Sequence, residues 1–508
     1  MAASYEDETE RKFDVEARTV FPNLAVTEGI ASVDQPVEFE LEAVYFDTPD
    51  YALARQGVTL RRRTGGTDEG WHLKLPAGQD TRTEIREPLG ATADEVPGEL
   101  AARVRAITRK RPLAPVAELS TTRREYALRD AERGILAHAC DDRVTSRLAG
   151  GGGEKAWREW EVELAAGSPS VLHAVGEVML AAGAGAATVP SKLRRALGSL
   201  PDQGRELPPR DHHGAGTAAH LLAAHLTEQV GRLTTEDAGL RADRPESVHR
   251  LRIAARRLRS ALSTFGPVLD RRASDPVQDE LRWLGQSLAP ARDAQVLREH
   301  LKGVTAAEPS ELVIGSAVQR IDDQLSREHQ DGLERAHETL DSDRYLTLLD
   351  SLDGLVADPP LLPDADRPAR KTMRRLLARD VKRLRRAVRG IEAAGEGDDR
   401  DAAFHEARKK AKRLRYAAEV AATALGKRAR SLAKSTKELQ QVLGAHQDSV
   451  NARVRLRELG VQAHLDGDNS FTFGRLHALE QVRAERAEAE FAELWTVFNR
   501  KHVRRWTR

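Results

Sequence analysis

Two hydrophobic periods divide this chain. Up to about residue 200, apolar and charged residues alternate in short runs, the two-residue period of a strand. From Thr217 onward apolar residues recur every three or four positions, the period of a helix packed on one side. The first part predicts strands at Glu8–Lys12, Glu38–Val44, Val58–Arg63, Trp71–Leu75, Arg82–Arg86, Leu119–Tyr126, Ile135–Asp142 and Trp160–Leu164. Tyr45-Phe46-Asp47-Thr48-Pro49 ends one strand, Gly65-Gly66 another, and Gly150–Gly153 forms a loop. Short helices are predicted at Tyr51–Gln56, closed by Gly57, and within Pro97–Arg109.

The segment Trp160–Leu164 carries the most information. Trp160, Val162 and Leu164 share one apolar face, and Glu161 and Glu163 share the other. The apolar side must be covered while the acidic side looks into something polar, and a sheet rolled round a polar lumen meets both demands. On that inner face would stand Glu8, Glu10, Glu161 and Glu163 as carboxylates, with Lys12, Arg61, Arg63, Lys74, Arg82 and Arg123 as cations. Such a lumen is too charged to be a packed core. A polyanion with divalent cations would stabilise it, the carboxylates ligating metal and the basic side chains holding phosphate oxygens. Solvated faces on an ordinary antiparallel sheet would explain any one segment, but not the recurrence across so many.

In the second part, Leu251, Ala255, Leu258 and Leu262 form a buried stripe along Val248–Phe265, and His249, Arg252, Arg256 and Arg259 lie on a different stripe. The spacing of that basic stripe returns in His405, Arg408, Lys412 and Arg415. Leu284–Asp293 likewise matches Leu439–Asp448, at offsets from the histidine that agree to within one residue. This indicates an internal duplication. Like charges at i,i+4 destabilise a helix, and the stripes lack acidic partners at that spacing, so keeping two of them points to an external anion rather than a solvated face. A further basic helix, with Arg375, Arg379, Lys382, Arg383 and Arg386, adds to this surface, anchored by Met373, Leu377, Leu384 and Val388.

Composition narrows the partners. Charged residues make up 31% of the 508 and aromatics 4%, yet the net charge is +1, so any anion-binding surface must come from local segregation of charge. The scarcity of aromatics argues against nucleic acid bound by base stacking, and no nucleic acid is expected. The lone Cys140 excludes an intramolecular disulfide and suits a reducing cytosol. No apolar run approaches a membrane span and the acidic start lacks a signal-peptide layout, so a cytoplasmic protein without a membrane partner is expected. The expected domains are 1–200, a linker at 201–215 rich in Gly, Pro and Asp, and 216–508 as two repeats, about 216–357 and 369–508, joined by Asp358–Pro368. Oligomeric state is open.

Two families are resembled. Glu8-Thr9-Glu10-Arg11-Lys12 resembles the opening ExExK signature of the CYTH domain, the triphosphate tunnel metalloenzyme family. The resemblance continues through Tyr45-Phe46-Asp47-Thr48, Leu60-Arg61-Arg62-Arg63, Leu73-Lys74-Leu75-Pro76, Arg82-x-Glu84, Thr121-x-Arg123, Trp160-Glu161-Val162-Glu163 and Ser191-Lys192. It implies an antiparallel tunnel that binds a triphosphate-bearing substrate with Mg²⁺ or Mn²⁺. Carried over by position, Glu8, Glu10, Glu161 and Glu163 would hold metal, joined by Asp141 or Asp142, with Asp142 favoured. Lys12, Arg61, Arg63, Lys74, Arg82, Arg123 and Lys192 would clamp phosphates, and catalysis would rest on Glu8, Glu10, Lys12, Glu161 and Glu163. Cations would neutralise the transferred group while water attacks in line, without a covalent nucleophile. His72, the most tempting catalytic histidine, is read as a wall residue.

Val248-His249-Arg250-Leu251-Arg252 and Phe404-His405-Glu406-Ala407-Arg408, each followed by its basic stripe and a later Gly/Ala-x-x-Asp segment, resemble the CHAD domain, a conserved histidine α-helical domain of two pseudo-symmetric four-helix bundles. Such domains are associated with inorganic polyphosphate, which implies a site at His249, Arg252, Arg256, Arg259, Arg375, Arg379, His405, Arg408, Lys412 and Arg415. The expected fold is therefore an α+β multidomain chain, an N-terminal antiparallel β tunnel with flanking helices followed by an all-α pair of four-helix bundles. The expected activity is metal-dependent hydrolysis of inorganic triphosphate or polyphosphate, with polyphosphate held by the helical domain, in the cytoplasm or at polyphosphate granules. The alternatives are a triphosphatase for a nucleotide or thiamine triphosphate, and a non-catalytic granule-binding protein; the intact carboxylate set argues against an inert tunnel.

Overall fold

The computed structural model describes residues 4–76, 81–90, 95–151, 153–202, 216–503 and 506, and forms two compact units, Met1–Glu206 and Leu207–Arg508. The linker expected at 201–215 falls almost wholly on 203–215, outside the described residues.

The strands of the first unit are β1 (Ser4–Val15), β2 (Ser32–Val33), β3 (Val37–Asp47), β4 (Thr59–Thr64), β5 (Gly70–Pro76), β6 (Thr81–Glu87), β7 (Ala114–Arg129), β8 (Ile135–Leu148), β9 (Lys155–Leu164) and β10 (Gly185–Ala186). Eight of them close an antiparallel barrel in the order β1-β6-β5-β4-β3-β7-β8-β9, with β9 pairing back onto β1; β2 extends β7 and β10 extends β1. Closure removes every long free edge. Its helices are α1 (Ala52–Arg55), α2 (Gly98–Arg103), α3 (Arg105–Thr108), α4 (Pro169–Ala181) and α5 (Lys192–Leu197).

Two apolar clusters explain the closure. Outside the barrel, Phe13, Leu128, Ala137, Ala139, Trp160 and Val162 pack beneath Leu172, Val175 and Met179 of α4. Inside it, Ala43, Tyr45, Ala117, Leu119 and Val144 pack against Leu193, Ala196 and Leu197 of α5, which thereby stops one end of the lumen. The register sets Glu10 opposite Glu163 and Lys12 opposite Glu161, so the two Glu-x-Glu segments face one another across a single strand pair. Between β4 and β5, Gly65 has φ 80°, and a Cβ there would lie 2.1 Å from the Glu40 carbonyl oxygen, so only glycine fits.

Several strands outrun their sequence signal. β3 continues past Val44 to Asp47 through a register shift at Tyr45/Phe46, and β8 and β9 stay paired as far as Ser146 and Lys155, where polar residues blur the alternation. Backbone pairing across the ladder carries them on, independently of side-chain polarity.

The second unit contains α6 (Ala218–Arg241), α7 (Ser247–Phe265), α8 (Arg271–Ser287), α9 (Ala289–Ala306), α10 (Ala317–Asp341), α11 (Asp343–Ala357), α12 (Ala369–Ala393), α13 (Asp398–Leu425), α14 (Lys427–Leu465) and α15 (Phe471–Phe498). The two halves follow one four-helix plan, but helices three and four of the first copy are each broken in two. Pro290 accounts for the first break: lacking an N–H, it stands in the first turn of α9, whereas the matching Ala445 lets α14 run unbroken for 39 residues. Leu251, Leu258 and Leu262 of α7, and Met373, Leu377, Leu384 and Val388 of α12, are buried as their periodicity requires. The halves share core: Leu301 of α9 and Ile321 and Leu325 of α10 pack with Leu456 of α14 and Phe473 and Leu476 of α15. α10 approaches α9 so closely that a Cβ on Gly332 would lie 2.4 Å from the Ala291 nitrogen.

Candidate active site and anion pocket

The lumen holds a cavity of about 260 Å³. It is lined by Glu8, Glu10 and Lys12 from β1, Arg61 and Arg63 from β4, Lys74 from β5, Arg82 from β6, Arg123 from β7, Glu161 and Glu163 from β9 and Lys192 from α5. Strand alternation alone brings them inward from six strands and one short helix. Asp142 lies just behind this wall, fully buried, and binds Arg123 through both oxygens at 2.8 and 2.7 Å. Asp141 points to the other face of β8, where Arg158 and the Trp160 indole hold it at 2.7 and 3.2 Å, so the inward residue is Asp142.

The carboxylates form two groups. In the deeper one, the Lys192 ammonium lies 2.9 Å from Asp142, 2.8 Å from Glu159 and 2.6 Å from Glu161, and these three side chains can bring oxygens within 4.8 Å of one another. Against the cost of burial, Lys12, Lys192 and Arg123 hold the Glu161 carboxyl well below its ordinary value. The outer group is Glu8, Glu10 and Glu163. Lys74 bonds Glu8 at 2.7 Å and Lys12 bonds Glu10 at 2.7 Å, but burial together with the Glu8 and Glu10 charges pushes the Glu163 carboxyl up to about 7. An excess of negative charge remains there, offered by oxygen donors only. That donor chemistry fits a hard divalent cation of the Mg²⁺ or Mn²⁺ kind.

Opposite them the cations are in excess. Among the described residues Arg61 reaches the Tyr45 hydroxyl at 3.4 Å, Arg63 pairs with Asp68 through a terminal nitrogen, and the buried Nε atoms of both guanidinium groups have no hydrogen-bond partner. Burial and the neighbouring Arg61 and Arg123 charges push the Arg63 guanidinium down to about 9. Buried, under-bonded guanidinium forks facing a cavity are suited to phosphate oxygens.

His72 lies in the wall, 1% exposed, with Nδ1 2.9 Å from Glu84 and Nε2 2.9 Å from the Asp68 carbonyl, so both ring nitrogens are occupied. Four lumen residues were missed by the sequence reading. Glu159 lies outside the alternating Trp160–Leu164 signal because β9 begins at Lys155, five residues earlier. Glu84 was seen only as part of a motif, while Glu125 and His138, 3.3 Å apart at the cavity wall, lie in strands whose inward face was not extended that far.

In the helical unit a cavity of about 680 Å³ gathers Arg252, Arg256 and Arg259 of α7 with His405, Arg408 and Lys412 of α13, joining the two stripes. Arg282, Lys409 and Arg413, not assigned from sequence, complete its basic wall. The duplication repeats in three dimensions: Arg252 pairs with Asp293 at 2.9 Å, and Arg408 lies 3.8 Å from Asp448. Four assigned residues do not line this cavity. Arg415 is bound to Glu419 at 2.7 Å, an acidic partner one helical turn away that the sequence reading took to be lacking, and Arg375 lies 3.7 Å from Asp364. His249 sits beside Arg292 and Glu246, and Arg379 flanks Arg413 from α12. Burial and the Arg408 and Arg256 charges push the Lys412 ammonium down to about 7.

A closed antiparallel barrel with carboxylates and cations sharing its lumen defines a triphosphate tunnel. The family comparisons agree: residues 6–188 match the CYTH domain and residues 224–457 the CHAD domain. The chain belongs to the proteins that join a CYTH domain, which is metal-dependent, to a CHAD domain in that order. Two Mycobacterium tuberculosis proteins, uncharacterized proteins MT2285 (strain CDC 1551) and Rv2226 (strain H37Rv), are each 40% identical over 500 residues, 95% of this chain and 94% of theirs. Among solved structures, PptA from Streptomyces chartreusis is similar at 23% identity and a TM-score of 0.47, covering 55% of this chain and 99% of that one. The CHAD domain from the plant Ricinus communis is similar at 27% identity and a TM-score of 0.44, covering 55% and 92%. Among the described residues, no helix is long and apolar enough to cross a membrane.

Proposed function

We propose that the tunnel hydrolyses inorganic triphosphate or polyphosphate with Mg²⁺ or Mn²⁺, and that the helical unit holds inorganic polyphosphate, in the cytoplasm or on polyphosphate granules. The observation that carries this reading is the crowding of like charges on two sides of one lumen, Glu8, Glu10 and Glu163 on one and Arg61, Arg63 and Arg123 on the other. Glu8, Glu10, Glu161 and Glu163, with Asp142 behind them, would hold the metal, which supplies neutralisation of phosphate charge and a lowered pKa for water. Arg61, Arg63, Arg123 and Lys12 hold the phosphate oxygens, and Lys74, Arg82 and Lys192 extend that grip along the lumen. Because these groups are fixed before the substrate arrives, they stabilise developing charge without reorganising. No side-chain nucleophile is called on: the Cys140 thiol is buried and pushed well above its ordinary range.

The test is phosphate release from the full chain with Mg²⁺ or Mn²⁺, over tripolyphosphate, long polyphosphate, pyrophosphate, ATP and thiamine triphosphate. Tripolyphosphate should be cleaved well ahead of pyrophosphate, which has too few charges to meet the row of cations. Glu10→Gln and Glu163→Gln should each lower turnover by at least about a hundredfold, since a preorganised charge-stabilising group contributes ~10²–10³. Turnover within tenfold of the parent would remove these carboxylates from catalysis, and preference for ATP or thiamine triphosphate would move the substrate to that class.

A further inference from the structure

A second cavity in the helical unit, about 420 Å³, opens where the starts of α12 and α14 meet the end of α13. Its walls are Arg370, Lys371, Arg374, Leu425, Arg428 and Trp506. None of these four cations is paired with an acidic side chain among the described residues. Trp506, only 9% exposed, and Leu425 supply the apolar part of the wall. Neither α12 nor α14 has a side-chain cap at its start, which leaves their first-turn N–H groups without a side-chain acceptor.

From this cavity a row of cations leads away. The exposed face of α12 carries Arg375, Arg379, Lys382, Arg385, Arg386 and Arg389 after the cavity residues. The only acid on the helix before Arg389 is Asp380, which is buried and bound to Arg383 at 2.9 Å and to Arg413 at 3.0 Å. Arg413 in turn lines the larger cavity of the two stripes. The row thus leads from one cavity toward the other. From Arg370 to Arg389 it is roughly 28 Å long at 1.5 Å per residue. Like charges so arranged repel one another along the helix. A small anion would relieve that repulsion in one cavity only, whereas a linear chain of phosphates would relieve it along the whole row.

We propose that the cavity at Trp506 is a second polyphosphate site, and that one long chain occupies both cavities by lying along α12. The inference rests on the polyphosphate reading of the helical unit given above. Two sites on one strand make the second binding event intramolecular, so affinity should rise once chains are long enough to span the row.

The experiment titrates polyphosphate fractions shorter and longer than the row against the full chain, with a chelator present to prevent turnover. The parent is compared with the triple variant Arg370→Glu, Lys371→Glu and Arg428→Glu, and with the milder Arg370→Gln and Arg428→Gln. All the replaced residues lie in the first turn of a helix, where an acidic side chain is favoured by the helix dipole, so the fold should hold. The triple variant should bind long chains at least about tenfold more weakly and lose the rise with length. Its slope of log affinity against log salt should fall by about 0.7 for each phosphate that is no longer neutralised. The Gln variant should show a smaller effect of the same kind. Unchanged long-chain affinity in both variants would overturn the second site and leave the polyphosphate reading standing. An equal loss for short and long chains would overturn the spanning arrangement. Failure of the parent to bind long chains would overturn the reading and the inference together.

Discussion

Two side chains are brought to about 7 from opposite directions, Glu163 from below and Lys412 from above. The cause is the same in both: burial first, then neighbours of like charge, Glu8 and Glu10 for the acid and Arg408 and Arg256 for the base. Each cluster holds more charge of one sign than the protein itself balances. For Lys412 the other charged neighbours are Asp448, which favours the ammonium, and Arg252, which opposes it. A lysine whose folded pKa lies below its ordinary 10.5 binds fewer protons than the unfolded chain between 7 and 10.5, so this group lowers native stability as pH falls through that window. A bound polyanion restores the charge. Binding therefore takes up a proton above pH 7, and polyphosphate affinity should fall by up to about tenfold per pH unit between 7 and 9. Lys412→Arg, whose guanidinium stays charged, should flatten that profile, as isothermal titration at several pH values would show. A profile equally steep in the variant would assign the proton to another group. The charged lumen was readable in the sequence because Glu8, Glu10, Glu161 and Glu163 keep strict alternation. The balance within each cluster was not, because it depends on neighbours from strands and helices far apart in the chain.

Among the elements, α5 shows how little sequence can determine a position that matters. It is six residues long, capped by Ser191, whose hydroxyl accepts the Arg194 N–H at 3.1 Å. Nothing in Lys192–Leu197 alone says that the helix stops a barrel. It does so because the lumen is apolar where Ala43, Leu119 and Val144 point inward, and because Lys192 finds three carboxylates above that floor. Glu159 is the member of that trio not needed to explain the motif, and its other oxygen accepts the Trp157 indole N–H at 2.6 Å. Glu159→Gln keeps an acceptor for the indole but removes one charge from the lysine's cage, leaving the buried ammonium without one of its three counter-charges at a cost of about 1–3 kcal/mol. Amide protons of α5 should then exchange roughly tenfold faster or more, since 1.4 kcal/mol is a factor of ten. Hydrogen exchange at Leu193–Leu197 no faster than in the parent would mean that the apolar contacts alone hold the plug. At the same scale, the stripes on α7 and α13 were legible from their spacing, whereas the pairing of Arg415 with Glu419 shows that i,i+4 partners must be sought on both sides of a residue.

Across the whole chain, a net charge of +1 hides two strongly segregated fields. The sequence announces that segregation through its two periods, acids and cations alternating on strands and cations striped on helices. Long-range attraction of anions to the molecule as a whole should accordingly be weak, and binding should depend on contacts within about a Debye length, roughly 8–10 Å at ordinary ionic strength. The cavity that joins Arg252, Arg256, Arg408 and Lys412 is concave, with its cations converging from two helices. A flexible phosphate chain can bend into it. Duplex DNA, with a persistence length of about 150 base pairs and phosphates at fixed spacing, cannot follow such a surface without a large bending cost. The full chain should therefore bind long polyphosphate far more tightly than duplex DNA of equal charge, with an affinity that falls steeply as salt is raised. Arg252→Glu with Arg256→Glu, and separately Arg408→Glu with Lys412→Glu, should each weaken binding and reduce the salt dependence, because either pair supplies half of one cavity. Competition titrations at two salt concentrations would decide it. Equal affinity for DNA, or indifference to both double reversals, would return these stripes to the status of solvated helix faces.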